Sequence, residues 1–181
     1  ENLQALYNKA YEVKKQYVGI TVYLRGLIEL SNICSKNCYY CGIRSSNKEL
    51  MRYQISYDEA IAEAKLCLQM HYGSIVIQAG EREDRTWIDF ITKLIKGIKE
   101  LSEGKLGITL SLGEQKLEVY QQWFEAGAHR YLLRIETSNK ELYRSLHPVN
   151  HNFEKRLKCL NLIQECGYQV GTGVMIGLPG Q

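Results

Sequence analysis

Three cysteines, Cys34, Cys38 and Cys41, lie close together in the stretch NICSKNCYYCGIRSSN at 32–47. Structural zinc normally takes four ligands, usually as two paired motifs, and the chain has no second CxxC. Chance clustering of core cysteines fits poorly, because Ser35, Lys36, Asn37, Ser45 and Ser46 make the segment polar. Iron–sulfur ligation fits best, since soft thiolates select such clusters, whose usual complement is four cysteines. Zinc and redox chemistry remain the alternatives. Three thiolates would leave one iron of a [4Fe–4S] cube open to a ligand from outside the protein.

The chain that must position these residues has 181 amino acids, enough for one domain with a sizeable core. Its 23 basic and 20 acidic residues give a net charge of +3, too balanced for a nucleic-acid binder. No apolar stretch reaches membrane-spanning length, and the N-terminal segment lacks the unbroken apolar core of a signal peptide. Cys67, Cys159 and Cys166 fall within helical patterns and read as core or structural residues. A cytoplasmic protein with reduced thiols is expected.

Strand and helix signals alternate along the sequence. An amphipathic helix over 3–17 carries Leu3, Leu6, Tyr7, Ala10, Val13 and Tyr17 on one stripe. Strands are expected at 24–32, 74–80, 107–113, 130–137 and 170–180. The helices between them are placed at 57–72, 87–101, 115–126 and 153–166, with a short one after Ser138. Ser56 and Glu59 form a capping box for the first of these, which Gly73 is expected to end, and Ser138 with Glu141 caps the short helix. This order predicts an α/β fold with a parallel sheet.

Strand parity separates a closed from a doubly wound sheet. Ile28 and Leu30, Ile75 and Ile77, Ile108, Leu110 and Leu112, and Tyr131, Leu133 and Ile135 give one uniformly apolar face. The opposite face carries Arg25, Glu29, Gln78, Thr109, Ser111, Arg134 and Glu136. A doubly wound sheet is buried on both faces and should read apolar on both. A barrel with a polar lumen fits better, and such barrels place catalytic groups at the C-terminal ends of their strands. A complete barrel has about eight strands, so these five are expected to form the N-terminal part of a longer one. Alone, they should associate through their open edges and lack turnover.

The CxxxCxxC run with an aromatic residue before its last cysteine, after the first strand of a parallel barrel, resembles the radical S-adenosylmethionine (SAM) superfamily. That resemblance implies a TIM-type barrel and a [4Fe–4S] cluster on Cys34, Cys38 and Cys41. Its open iron would be chelated by the amino and carboxylate groups of SAM, which is cleaved to a 5′-deoxyadenosyl radical. The stretches RGLIELSNICSKNCYYCGIRSSN, TLSLGE, RYLLRIET, FEKRLKCL and GLPGQ narrow the likeness to the maturase E family, which helps build the two-iron subcluster of FeFe-hydrogenase. Biotin synthase and methylornithine synthase are relatives of that family, and their activities are the alternative readings. A non-catalytic iron–sulfur or metal carrier is the alternative of another class.

The resemblance also assigns roles. Tyr40 is expected beside the adenine, and Gly80 and Glu81 at the methionyl amine, although Arg82 stands where the family often has an acid. Glu136 is expected at the SAM ribose or amine, Arg156 at its carboxylate and Met175 against the adenosyl group. Arg25, Gln78, Thr109, Ser111 and Arg134 would receive a small carboxylate-bearing substrate, cysteine-derived or iron-bound. Two lumen arginines are costly unless an anion meets them, though Glu29 and Glu136 could pair with them instead. Companion maturases and a ferredoxin-like electron donor are the implied partners, with no nucleic acid and no membrane. His71, His129, His147 and His151 are expected at helix ends and loops without metal-ligand spacing.

Overall fold

The computed structural model describes residues 3–181. Its elements in chain order are α1 (Leu3–Val18), β1 (Gly26–Ser31), α2 (Tyr57–Gln69), β2 (Ser74–Ala79), α3 (Arg85–Leu101) and β3 (Gly107–Ser111). After these come α4 (Leu117–Glu125), β4 (Arg130–Leu132), α5 (Lys140–Leu146), α6 (Phe153–Glu165) and β5 (Gln169–Gly171). All five strands are parallel and lie in the order β1-β2-β3-β4-β5. Each strand pairs with its successor, as in a (β/α) barrel, and no reversal of order creates the crevice of a doubly wound sheet.

The apolar face expected from strand parity is the core. Leu30, Ile75, Ile77, Leu110, Leu112 and Tyr131 are wholly buried beneath the helices. They meet Ala60 and Ala64 of α2, the Trp87-to-Ile98 stripe of α3, Tyr120 and Trp123 of α4, and Cys159 and Ile163 of α6. Each such aliphatic side chain contributes about 1.5–3 kcal/mol by leaving water. The six cysteines are free thiols, and Cys67 and Cys159 are buried as expected.

Several boundaries differ from those the sequence suggests. Helix α2 stops at Gln69, and the left-handed residue beyond it is His71 (φ 58°), not Gly73. Asp84 caps α3, accepting the amide N–H of Trp87, so that helix starts earlier than expected. The cap of α5 is Asn139, whose side chain accepts from the amides of Glu141 and Leu142; Ser138 is not the cap. Strand β4 is much shorter than expected because the ladder is interrupted beyond it, where the Ile135 amide N–H donates to the Thr172 hydroxyl, and Glu136 takes a left-handed conformation (φ 65°). Pairing resumes only as an isolated bridge between Glu136 and Val174. The apolar stripe of α1 is exposed, and that helix has no buried residue.

Candidate active site at the C-terminal end of the sheet

Cys34, Cys38 and Cys41 occupy the loop leaving β1 and line one cleft of about 210 Å³ with Gln78, Gly80, Glu81, Ser111, Arg134, Glu136 and Arg156. The loop is ordered from both sides. Arg52 donates through its guanidinium to the carbonyls of Asn32, Ile43, Arg44 and Asn47, at 2.6–3.1 Å. Asn32 is fixed in turn: its side chain donates to the Met51 carbonyl and accepts the Tyr53 amide N–H. Farther along the chain, the amide of Tyr39 donates to the carbonyl of Leu146 at 3.0 Å.

Gly80 explains how β2 reaches this loop. A Cβ there would lie 2.3 Å from the Ile33 carbonyl oxygen and 2.7 Å from Cys34 Cβ, so only glycine permits the approach. Beside it, the Glu81 amide donates to Cys34 Sγ at 3.3 Å. The Glu81 carbonyl accepts from both the amide and the hydroxyl of Ser35, each at 2.9 Å. Both main-chain groups of Glu81 are thus committed to the cysteine loop, which leaves Gly80 as the main-chain candidate for an incoming amine.

A buried charge network lies beneath. Lys36 Nζ is 3.0 Å from Glu81 Oε1 and 3.2 Å from Glu114 Oε2, and Glu114 also meets Lys155 at 3.3 Å and Arg156 at 3.0 Å. Burial raises the pKa of Glu81 despite Lys36. Burial opposes ionisation of Glu114 too, but Arg156 and Lys36 outweigh it and hold that carboxyl below the ordinary range. Arg156 is buried on α6 rather than solvated. Glu136 is buried as well, with its pKa raised by burial, and its Oε2 has no partner among the described residues. Its left-handed backbone costs of order 1–3 kcal/mol, the kind of strain that gathers at functional sites. Met175, half-buried, is tied to it, donating its amide N–H to the Glu136 carbonyl at 2.8 Å.

The expected substrate residues are split. Gln78, Ser111 and Arg134 line the cysteine cleft, and Gln78 donates to Glu29 Oε1 at 3.0 Å. Arg25 and Thr109 border a separate cleft of about 220 Å³ with Arg130 and Gln169, near the N-terminal ends of the strands. Arg25 precedes β1 and is exposed, and Arg134 is 52% exposed with Glu136 3.5 Å away. Neither arginine therefore needs an anion to offset burial.

Sequence reasoning missed four residues. Glu114 follows β3 at the sheet's C-terminal end, where barrel strands carry functional groups. Arg52 gave no signal short of its loop contacts. His147 and His151 do have metal-ligand spacing, an HxxxH separation, and both are buried within the site. Tyr40 donates its hydroxyl proton to His147 Nε2 at 3.1 Å, because the other ring nitrogen donates to the Tyr143 carbonyl at 2.7 Å. Nδ1 of His151 lies 3.8 Å from Cys38 Sγ. Burial first, then Lys36, pushes the pKa of His151 down to about 4, so its ring is neutral.

The donor set fits an iron–sulfur cluster with a small-molecule ligand: three soft thiols share a cleft with a buried carboxylate oxygen that has no hydrogen-bond partner among the described residues. The family comparison decides the matter, because the model of the radical SAM superfamily matches residues 28–181. The chain belongs to the radical SAM superfamily. It is 46% identical over 178 residues to the [FeFe] hydrogenase maturase subunit HydE of Thermotoga maritima, covering 98% of this chain and 50% of that one. Biotin synthase of Staphylococcus haemolyticus is 29% identical over 176 residues, covering 96% and 54%. Among solved structures, methylornithine synthase (PylB) superposes with a TM-score of 0.87 at 26% identity, covering 99% of this chain and 52% of that one. The maturase HydG of Carboxydothermus hydrogenoformans gives 0.82 at 31% identity, covering 94% and 40%. This radical SAM chain spans about half the length of the sequence relatives it matches. Its partial parallel barrel is the superfamily's fold, and that family implies a [4Fe–4S] cluster and SAM. Among the described residues no helix is long and apolar enough to cross a membrane.

Proposed function

We propose that residues 1–181 form the N-terminal part of the core of a cytoplasmic radical SAM enzyme that acts in assembling the two-iron subcluster of FeFe-hydrogenase. The observation that carries this reading is the convergence of Cys34, Cys38 and Cys41 with Gly80, Glu136 and Arg156 in one cleft. Cys34, Cys38 and Cys41 would hold a [4Fe–4S] cluster, which would supply the one-electron chemistry for reductive cleavage of SAM to methionine and a 5′-deoxyadenosyl radical. Gly80 meets the methionyl amine through its main chain. Arg156, oriented by Glu114, takes the carboxylate. Glu136 offers its unpartnered oxygen to the ribose or amine, Tyr40 packs on the adenine and Met175 lies against the adenosyl group. Gln78, Ser111 and Arg134 receive a small carboxylate-bearing substrate, cysteine-derived or iron-bound. Companion maturases and a ferredoxin-like donor complete the system.

Sequence identity of 46% to HydE against 29% to biotin synthase favours the maturase reading over the related synthases. Anaerobic reconstitution should give four irons per chain and a reduced-cluster EPR signal that changes when SAM is added. Replacing Cys34, Cys38 or Cys41 with Ala should abolish both. A triple alanine variant that still held a SAM-responsive cluster would overturn the assignment. In the full-length protein, release of biotin or methylornithine instead of support for hydrogenase maturation would replace it with a synthase activity.

A further inference from the structure

His151 and His147 stand behind the cysteine loop, and with Cys38 they offer three donor atoms within 4.8 Å of one another. Such a set suggests a divalent metal site, but its hydrogen bonds argue otherwise. A backbone N–H can only donate, so the Asn37 amide, 3.4 Å from His151 Nε2, makes that nitrogen an acceptor. In the neutral ring the proton then sits on Nδ1, the atom that faces Cys38 Sγ at 3.8 Å. A protonated nitrogen has no lone pair for a metal. His151 is therefore a donor to sulfur.

We propose that His151 is a positioning residue that sets the reduction potential of the cluster by donating its Nδ1–H to the Cys38 thiolate. The inference rests on the reading that Cys34, Cys38 and Cys41 hold that cluster. A hydrogen bond to a ligating sulfur draws off negative charge and so favours the reduced, more negative state. The two thiolates differ in how this is supplied. Cys34 accepts from the main-chain amides of Lys36 at 3.4 Å and Glu81 at 3.3 Å, which no side-chain change removes directly. Cys38 is approached by side chains, His151 and the Tyr40 hydroxyl, so the His151 share is open to adjustment by one substitution. His147 braces the same wall. Its ring lies 5.5 Å from that of His151 and stacks on Tyr143 at 4.0 Å, which limits how far His151 can swing away.

The test is an EPR-monitored redox titration of the reconstituted holo-protein, with dithionite as the one-electron source. His151→Leu removes the donor, His151→Asn puts an amide N–H near the Nδ1 position, and His151→Gln moves the donor out to the Nε2 position. At equal iron content, the Leu and Gln variants should show a reduced-to-oxidised ratio about threefold lower at a given potential. That is a midpoint lower by ~28 mV, at 59 mV per tenfold step for one electron. The Asn variant should stay at the wild-type midpoint. A wild-type midpoint in a fully loaded Leu variant overturns the inference and leaves the cluster assignment standing. Should the Leu variant lose its iron, the wild-type protein decides: pulsed EPR of the reduced cluster with 15N-labelled histidine should show a weak nitrogen coupling. Its absence overturns the proposal. Failure of the wild-type chain to take up iron at all removes the functional reading with it.

Discussion

Arg156 Nε lies 3.0 Å from Glu114 Oε1, and the two side chains are only 10% and 4% exposed. Removing one partner of a buried pair strands the other charge, at a typical cost of about 3–5 kcal/mol. Glu114→Gln should therefore lower stability by about 3 kcal/mol in urea denaturation. Because Glu114 orients the guanidinium, SAM affinity should fall in this variant as well as in Arg156→Ala. In the latter, a lost charge-assisted contact worth about 1.5–3 kcal/mol should weaken binding by roughly tenfold or more. Unchanged SAM affinity in Arg156→Ala would remove Arg156 from the SAM site.

Gly80→Ala tests the close approach of β2 to the cysteine loop. The added methyl would meet backbone at Ile33 and the Cβ of Cys34, neither of which is the far end of a flexible chain. Iron content after reconstitution should drop sharply. Gly73→Ala, where nothing lies within 4 Å of the added Cβ, is the control and should load normally. Equal loading of both variants would refute the steric argument.

Arg52 holds four carbonyls of the loop with one side chain. Arg52→Met keeps much of the length and loses every donor. The cluster-free variant should be cut faster by protease within 42–51, and its stability should fall by about 2–3 kcal/mol, since bonds to a charged group are the stronger kind. Wild-type proteolysis kinetics would show that the loop is ordered by something else.

Asp84 gives a pH dependence with a definite sign. Its hydrogen bonds with Arg82, and then with Thr86, lower its pKa to about 2. A depressed carboxyl contributes stability that is present above its unfolded pKa of 3.8 and is lost as pH falls through about 2. The side chain is 46% exposed, so screening reduces the effect to about 1 kcal/mol. Asp84→Asn should be less stable than wild type at pH 6, and the difference should shrink steadily as pH falls from 3.8 through about 2. A difference that does not shrink over that range would place the effect in the helix cap and not in the charge.

The two lumen arginines should separate in function. Arg134 lines the cysteine cleft, whereas Arg25 borders the other one. In the full-length protein, Arg134→Ala should raise the substrate KM, while Arg25→Ala should leave KM and SAM binding unchanged. A raised KM in Arg25→Ala would return it to the substrate site.

The apolar parity of the strands was legible because burial under helices demands it residue by residue, and Ile75, Ile77, Leu110 and Tyr131 lie where alternation puts them. That Cys34, Cys38 and Cys41 share one cleft was legible because their spacing is local. Glu114 was not, because it acts on Lys36 78 positions away, and Arg52 was not, because its carbonyl partners carry no side-chain pattern. His147 and His151 show the limit most sharply. Their spacing was in the sequence, but the sulfur that gives His151 its meaning lies 113 residues away. Arg25 borders a different cleft from the cysteines because parity assigns a face but not a height along the strand.

The cysteine loop is fastened on one side by nearby Arg52 and on the other to parts of the chain made long after it. Lys36 reaches Glu114 across 78 positions, Tyr40 reaches His147 across 107, and Asn37 reaches His151 across 114. Contacts of such high sequence separation form late, because the entropy of closing the intervening chain must be met first. During synthesis the wall around Cys38 therefore waits for His147 and His151, which are made more than a hundred residues later. The completed Cys38 wall is thereby deferred until synthesis is past residue 151, so a cluster held there would follow the folding of the chain.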